Sequence, residues 1–204
     1  MAKGFAFDPG DWFDDHRKKV RRYLDRYFDG GPRDQFTGRW FERFAASGDP
    51  NRFGPSDLVA VESLSVNVPS ESAARLILTE ADHFNDLLRQ IPPDRDLWEV
   101  DRSCVESGNA ADRLHAELCT LKKVGWVTAG KLIAAKRPRV IPILDKEVAR
   151  VLKPPKGLFW VTMHDQLADS ARRQTIAEVC DNAPPGVSLL RRIDVALWMD
   201  ATQR

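Results

Sequence analysis

Long apolar runs are missing from this chain. No stretch approaches the ~18 consecutive apolar residues that a membrane-spanning helix needs, so a membrane is not an expected partner. The N-terminus, MAKGFAFDPGDWFDD, has neither the apolar core nor the small-residue cleavage pattern of a signal peptide, and the expected location is cytoplasmic. Cysteine is scarce. Cys104, Cys119 and Cys180 form no C-x-x-C pair and cannot build a disulfide framework, so they are expected to be reduced and buried. The histidines His16, His83, His115 and His164 fall in no H-E-x-x-H or H-x-E…P-C-x-x-C arrangement. His115 and Cys119 share a helix face at i, i+4, but two ligands do not make a metal site. G-x-G-x-x-G, Walker A and G-x-S-x-G patterns are also lacking. Nucleotide hydrolysis and serine-esterase chemistry therefore have no foothold, and neither a metal nor a cofactor is expected. No convincing period-2 strand and no Asn-Gly dipeptide stand in the sequence. The one extended apolar run, around Val140–Leu144, contains Pro142, which argues against a central strand.

Helix is what remains. At 204 residues the chain can bury a substantial core in one or two helical lobes, and its 43% hydrophobic and 30% charged content is that of an ordinary globular protein. Residues 11–28 read as an amphipathic helix opened by Asp8 or Asp11 and stopped at Gly30-Gly31-Pro32. A short helix follows over Arg39–Ala46, with Trp40, Phe41 and Phe44 expected inward. Pro55-Ser56-Asp57 starts a strongly apolar helix. Ser70 is expected to cap another, with a second start or kink at Thr79-Glu80-Ala81-Asp82. Residues 109–121 form a further helix, Phe159–Val179 a long one, and Ser188 caps the last. The expected division is residues 1–54 packing with the C-terminal helices 154–204, and residues 55–153 as a separate helical lobe.

Net charge is only +1, but it is unevenly spread: between Lys122 and Lys156 stand ten basic residues and two acidic ones. A local field of that kind attracts a polyanion to one face. A solvated basic surface leaves the same trace, and both readings stay open at this point.

The stretch Thr120–Lys153, TLKKVGWVTAGKLIAAKRPRVIPILDKEVARVLK, draws the chain together. It reads as helix, tight turn, helix, extended link, then Asp145 opening another helix. Gly125 is expected to be the hinge, where the backbone needs positive φ or comes close to a ligand. Gly130 is expected to let a helix approach, and Pro138 stops the helix. The stretch resembles the helix-hairpin-helix DNA glycosylases of the endonuclease III type. Their hairpin runs roughly L-P-G-V-G-x-x-T-A, and their catalytic Asp follows in a V-D-x-x-V-x-R-V-like segment. The matching residues are Leu121, Val124, Gly125, Thr128 and Ala129, then Leu144, Asp145, Val148, Arg150 and Val151. Lys122 and Lys123 replace the family's Pro and first Gly. Val127 stands where bifunctional members carry a lysine, so strand cleavage through a Schiff base is not implied. The cluster-binding cysteines of some members are absent. As a whole the chain also looks like a family of small uncharacterised actinobacterial proteins carrying KRP followed by an Asp, a likeness that implies no activity.

The resemblance implies an all-α, two-lobed fold with a helix-hairpin-helix motif, DNA as partner, and the activity of a monofunctional base-excision glycosylase. The carried-over DNA contacts are Lys122, Lys123, Val124, Gly125, Thr128 and Lys131, with Arg137 and Arg139 as further phosphate candidates. Trp126 would approach the extruded base, and Asp145 would be catalytic. Alternatives are open at each position. Asp145 is equally an N-cap, Trp126 a packed helical Trp, and the hairpin a plain helix corner. The chain as a whole is then a non-catalytic nucleic-acid binder, or a protein-interaction module using its aromatic N-terminal helices.

Overall fold

The computed structural model describes residues 4–30 and 36–202, and among them the chain is all-helical: twelve α-helices, no strand, and no helix long and apolar enough to cross a membrane. It divides into two compact units. One joins residues 1–36 to residues 142–204, and the other is residues 37–141. The boundaries differ from those expected. The helix near residue 40 belongs with the middle of the chain, because it packs on the helices that follow it. The helix after Asp145 belongs with the termini, because it packs on the last helix.

The terminal unit holds α1 (Pro9–Asp15), α2 (Arg17–Asp29), α9 (Lys146–Leu152), α10 (Phe159–Ala168), α11 (Ser170–Val179) and α12 (Leu189–Thr202). Asp8 caps α1, accepting from the amides of Gly10 and Asp11, with Pro9 in the first turn where a missing N–H costs nothing. The same carboxylate takes a two-pronged bond from Arg172 of α11 (2.6 and 3.1 Å), which holds it below the usual carboxylate range. Two helices expected to be continuous are broken. At His16 the ring nitrogen Nδ1 lies 2.8 Å from the Trp12 carbonyl and the two rings stack, so a side chain competes for a helix acceptor and α1 gives way to α2. At Asp169 the carboxylate accepts from the Arg172 amide and opens α11 as a fresh helix. Gly31 and Pro32, expected to stop α2, lie outside the described residues. Ser188 accepts from the Arg191 amide at the start of α12, as its position suggested.

The middle unit holds α3 (Phe41–Ala46), α4 (Pro55–Ser63), α5 (Ser70–Ala74), α6 (Ala81–Arg89), α7 (Ala110–Cys119) and α8 (Trp126–Lys136). A π-turn over Arg75–Thr79 joins α5 to α6 and marks the kink expected there. Ser70 does not cap α5; Pro69 stands at that position and no side-chain bond closes the end. The core gathers Phe41, Leu76, Phe84, Leu88, Ile91, Leu97, Leu114, Leu118, Leu121 and Leu132, all essentially sealed from solvent. Helix α8 is buried along nearly its whole length and packs on α3, α4 and α7. Trp40 and Phe44 point outward, against expectation. On α3 only Phe41 and Ala45 face the core, and a six-residue helix has one narrow buried side. The cysteines are free, but only Cys180 is buried and Cys119 is exposed.

Candidate nucleic-acid interface

Helices α7 and α8 pack against each other within the middle unit. Their connection is a tight turn closed by the Val124 amide donating to the Leu121 carbonyl at 3.0 Å. Leu121 and Val124 are buried at its feet, and Lys122 and Lys123 are exposed at its tip. The third residue of the turn, Lys123, has φ +61°, a left-handed backbone that an L side chain adopts at a cost of about 1–2 kcal/mol. Ser72, buried on α5, holds the turn in place by donating its hydroxyl to the Lys122 carbonyl at 2.8 Å. His115 ties the other side: its Nε2 lies 2.9 Å from the Trp126 carbonyl, bridging α7 to the first residue of α8. Neither tether carried a signal in the sequence. A serine three residues after Val-Pro and a histidine mid-helix have many uses.

Gly125 differs from expectation. Its φ is −91° with an extended ψ, so it needs no glycine conformation, and a Cβ there would meet nothing within 4 Å. It is the N-cap of α8, and no side chain caps that helix. The first amides of α8, at the positive end of its dipole, thus lack a side-chain acceptor, next to the exposed Lys122, Lys123 and Trp126. Trp126 is 45% exposed. Gly130 likewise meets nothing, so it does not serve a helix approach. Replacing Lys123 by Gly removes the left-handed penalty and should raise stability by about 1 kcal/mol, read as a higher urea midpoint at unchanged slope.

The remaining basic candidates divide sharply. Thr128 and Val124 are buried, so their side chains are not offered to a phosphate. Lys131 is buried and donates to the Leu64 carbonyl at 3.0 Å, which removes it from the expected phosphate set. Arg137 is 0% exposed. Each of its five N–H groups is used: Nε on Ile91, one terminal nitrogen on Pro50 and Lys136, the other on Leu88 and the Asn51 side chain, at 2.6–2.9 Å. Burial without a bonded carboxylate pulls this guanidinium down to about 10. It binds the protein's own carbonyls and cannot be a phosphate ligand. Its neighbour Lys136 is equally sealed, 2.6 Å from Asp57. Arg139 is exposed but engaged by Asp96 through two bonds of 2.7 and 2.5 Å. The basic run is therefore a poorer electrostatic surface than its composition suggests.

Asp145 stands in the other unit. It is half-exposed and is the N-cap of α9, its Oδ1 accepting from the amides of Glu147 (3.0 Å) and Val148 (2.9 Å). One oxygen is thus fixed by the backbone while no bond to Oδ2 is found among the described residues. Upstream, Trp160 of α10 donates its indole N–H to the Pro142 carbonyl at 3.2 Å, bracing the link that leads to Asp145. Among the described residues no three His, Cys, Asp or Glu side chains gather as a metal-binding set.

No curated protein and no solved structure matches the chain. A family model described as a family of unknown function does match, over residues 20–201. That span reaches into both units and includes the α7–α8 turn, the basic run and Asp145, and the chain belongs to that family, DUF6308.

Proposed function

We propose that this protein binds DNA through the α7–α8 turn and resembles a monofunctional base-excision glycosylase, hydrolysing the N-glycosidic bond of a flipped base. The observation that carries the reading is the backbone of the turn. Where the hairpin family places Pro-Gly, this chain has Lys122-Lys123, yet Lys123 keeps the left-handed conformation that a glycine would supply. A strained lysine at the tip of a pinned turn presents charge outward. The uncapped amides of α8 and the open space over Gly125 leave room for a phosphate to approach the backbone.

Asp145 supplies the chemistry in this reading. Release of a base builds positive charge on the sugar, as in glycoside hydrolysis. A carboxylate held by one oxygen and available at the other stabilises that charge and orients the attacking water. The test uses a panel of duplexes, each carrying one altered base, with free base measured under single-turnover conditions. Wild type should release base from one of them. Asp145→Asn should keep duplex affinity while slowing release on the order of 100-fold or more. A second reading, a non-catalytic DNA-binding relative, is favoured by the two amides that already occupy Oδ1. It predicts duplex binding with no release from any substrate and no effect of the substitution.

A further inference from the structure

The six-residue helix α3 and its N-cap residue each expose an aromatic ring. In α3, Phe41 and Ala45 pack inward, while Phe44 and the N-cap residue Trp40 are 37% and 39% exposed. Four positions apart, they lie on one side of the segment. The guanidinium carbons of Arg39 and Arg43 sit 4.9 and 5.1 Å from the centroid of the Trp40 ring. Arg43 is exposed and Arg39 half-buried, and Glu42, half-buried, is the one acidic side chain of Thr37–Ala46. An arginine held against an indole is partly ordered before it meets an anion, so less freedom is lost on binding.

Bare rings would suit many apolar partners. Guanidinium groups over the ring select an anionic one, and flat surface beside them selects one whose units have π faces. A single-stranded polynucleotide offers both at each residue, a phosphate and a base. An acidic peptide supplies the charge without the regular stacking units. We propose that the Trp40–Phe44 face of the middle unit is a platform for single-stranded nucleic acid, with bases stacking on Phe44 and the Trp40–arginine surface and Arg43 taking a backbone phosphate. This rests on the nucleic-acid reading above and adds a second contact, made by different residues from those of the Lys122–Gly125 turn.

Fluorescence anisotropy of the full chain with labelled oligothymidylate, and separately with a blunt duplex, tests it. Trp40→Ala and Arg43→Gln should each weaken single-strand binding about tenfold and leave duplex affinity unchanged, whereas Lys123→Glu should weaken the duplex. Thermal melts establish that each variant is folded, and Arg43→Gln, at an exposed position, keeps the test decisive if Trp40→Ala is not. Single-strand affinity unmoved by both substitutions overturns the proposal. So does polyglutamate displacing the oligonucleotide at equal charge, which would assign the face to an acidic protein. Duplex binding without single-strand binding removes this inference alone; binding to neither removes the nucleic-acid reading with it.

Discussion

Asp57→Asn or Lys136→Met alone should each destabilise the protein by about 3–5 kcal/mol, the usual cost of orphaning one member of a buried ion pair. The two groups are 2.6 Å apart with 0% and 1% of their side chains exposed. Lys136 also donates to the Asp49 carbonyl, and Asp57 Oδ2 accepts the Gly54 amide, so the pair locks the loop before α4 onto the end of α8. Asp57 Oδ1 accepts nothing among the described residues, and burial pushes this carboxyl up despite the ammonium beside it. Its sign of linkage follows. A carboxyl raised in the folded state binds its proton more tightly there than in the unfolded chain. Its contribution to stability therefore declines as pH rises through the window between the two values. The pair is accordingly a costly arrangement that is worse when broken. The double variant Asp57→Asn/Lys136→Met should lose clearly less than the sum of the single losses, by about 2–3 kcal/mol. Urea unfolding of the four proteins measures this, and additive losses would mean that the two groups are not coupled.

Arg137→Met should be at least as damaging, with a loss of about 4 kcal/mol or more. Methionine fills the space but takes a donor from five acceptors in three segments, of which the Leu88 carbonyl keeps the Ile91 amide: the loop at Pro50 and Asn51, the end of α6 at Leu88 and Ile91, and the last turn of α8. Arg137→Lys keeps the charge yet offers three donors without the planar fork, so it should recover only part of the loss. The comparison separates the two roles of the residue. Full recovery by lysine would show that charge, and not the geometry of five bonds, holds these segments together. Lys-Arg-Pro at 136–138 is thus a structural knot of the middle unit. Its importance to the fold can be tested with no assumption about DNA.

Much of the helical layout was legible because helix starts use local chemistry. Asp8, Pro55, Asp145 and Ser188 stand where a capping side chain or a missing N–H is useful, and each marks a start in the structure. Breaks made by competition were not legible. Nothing in the periodicity reveals that His16 will take the Trp12 carbonyl or that Asp169 will cap a new helix in mid-run. The amount of charge is legible in the sequence, and its placement is not, for a similar reason. Lysine and arginine are ordinarily solvated, and the carbonyls that hold Lys131, Lys136 and Arg137, that of Lys136 itself aside, come from residues 40 to 90 positions away in sequence. Residue type alone places Trp40 and Phe44 inward, whereas the short length of α3 leaves only one side to bury. At the turn, the sequence showed a departure, Lys for Gly, and hid a constancy, since φ at Lys123 is not visible in its name.

The proposed function rests on the grip of phosphate by a strained, cationic turn between α7 and α8. It is tested most directly by measuring the affinity of the protein for an unmodified blunt duplex across a tenfold range of salt, beside the variant Lys122→Glu/Lys123→Glu. Wild-type binding should weaken steeply, by at least about two decades in the association constant per decade of salt, as expected when two or more phosphates are neutralised. The variant should bind more weakly with a shallower slope. Wild-type affinity independent of salt, or a variant that binds as the wild type does, would contradict the account.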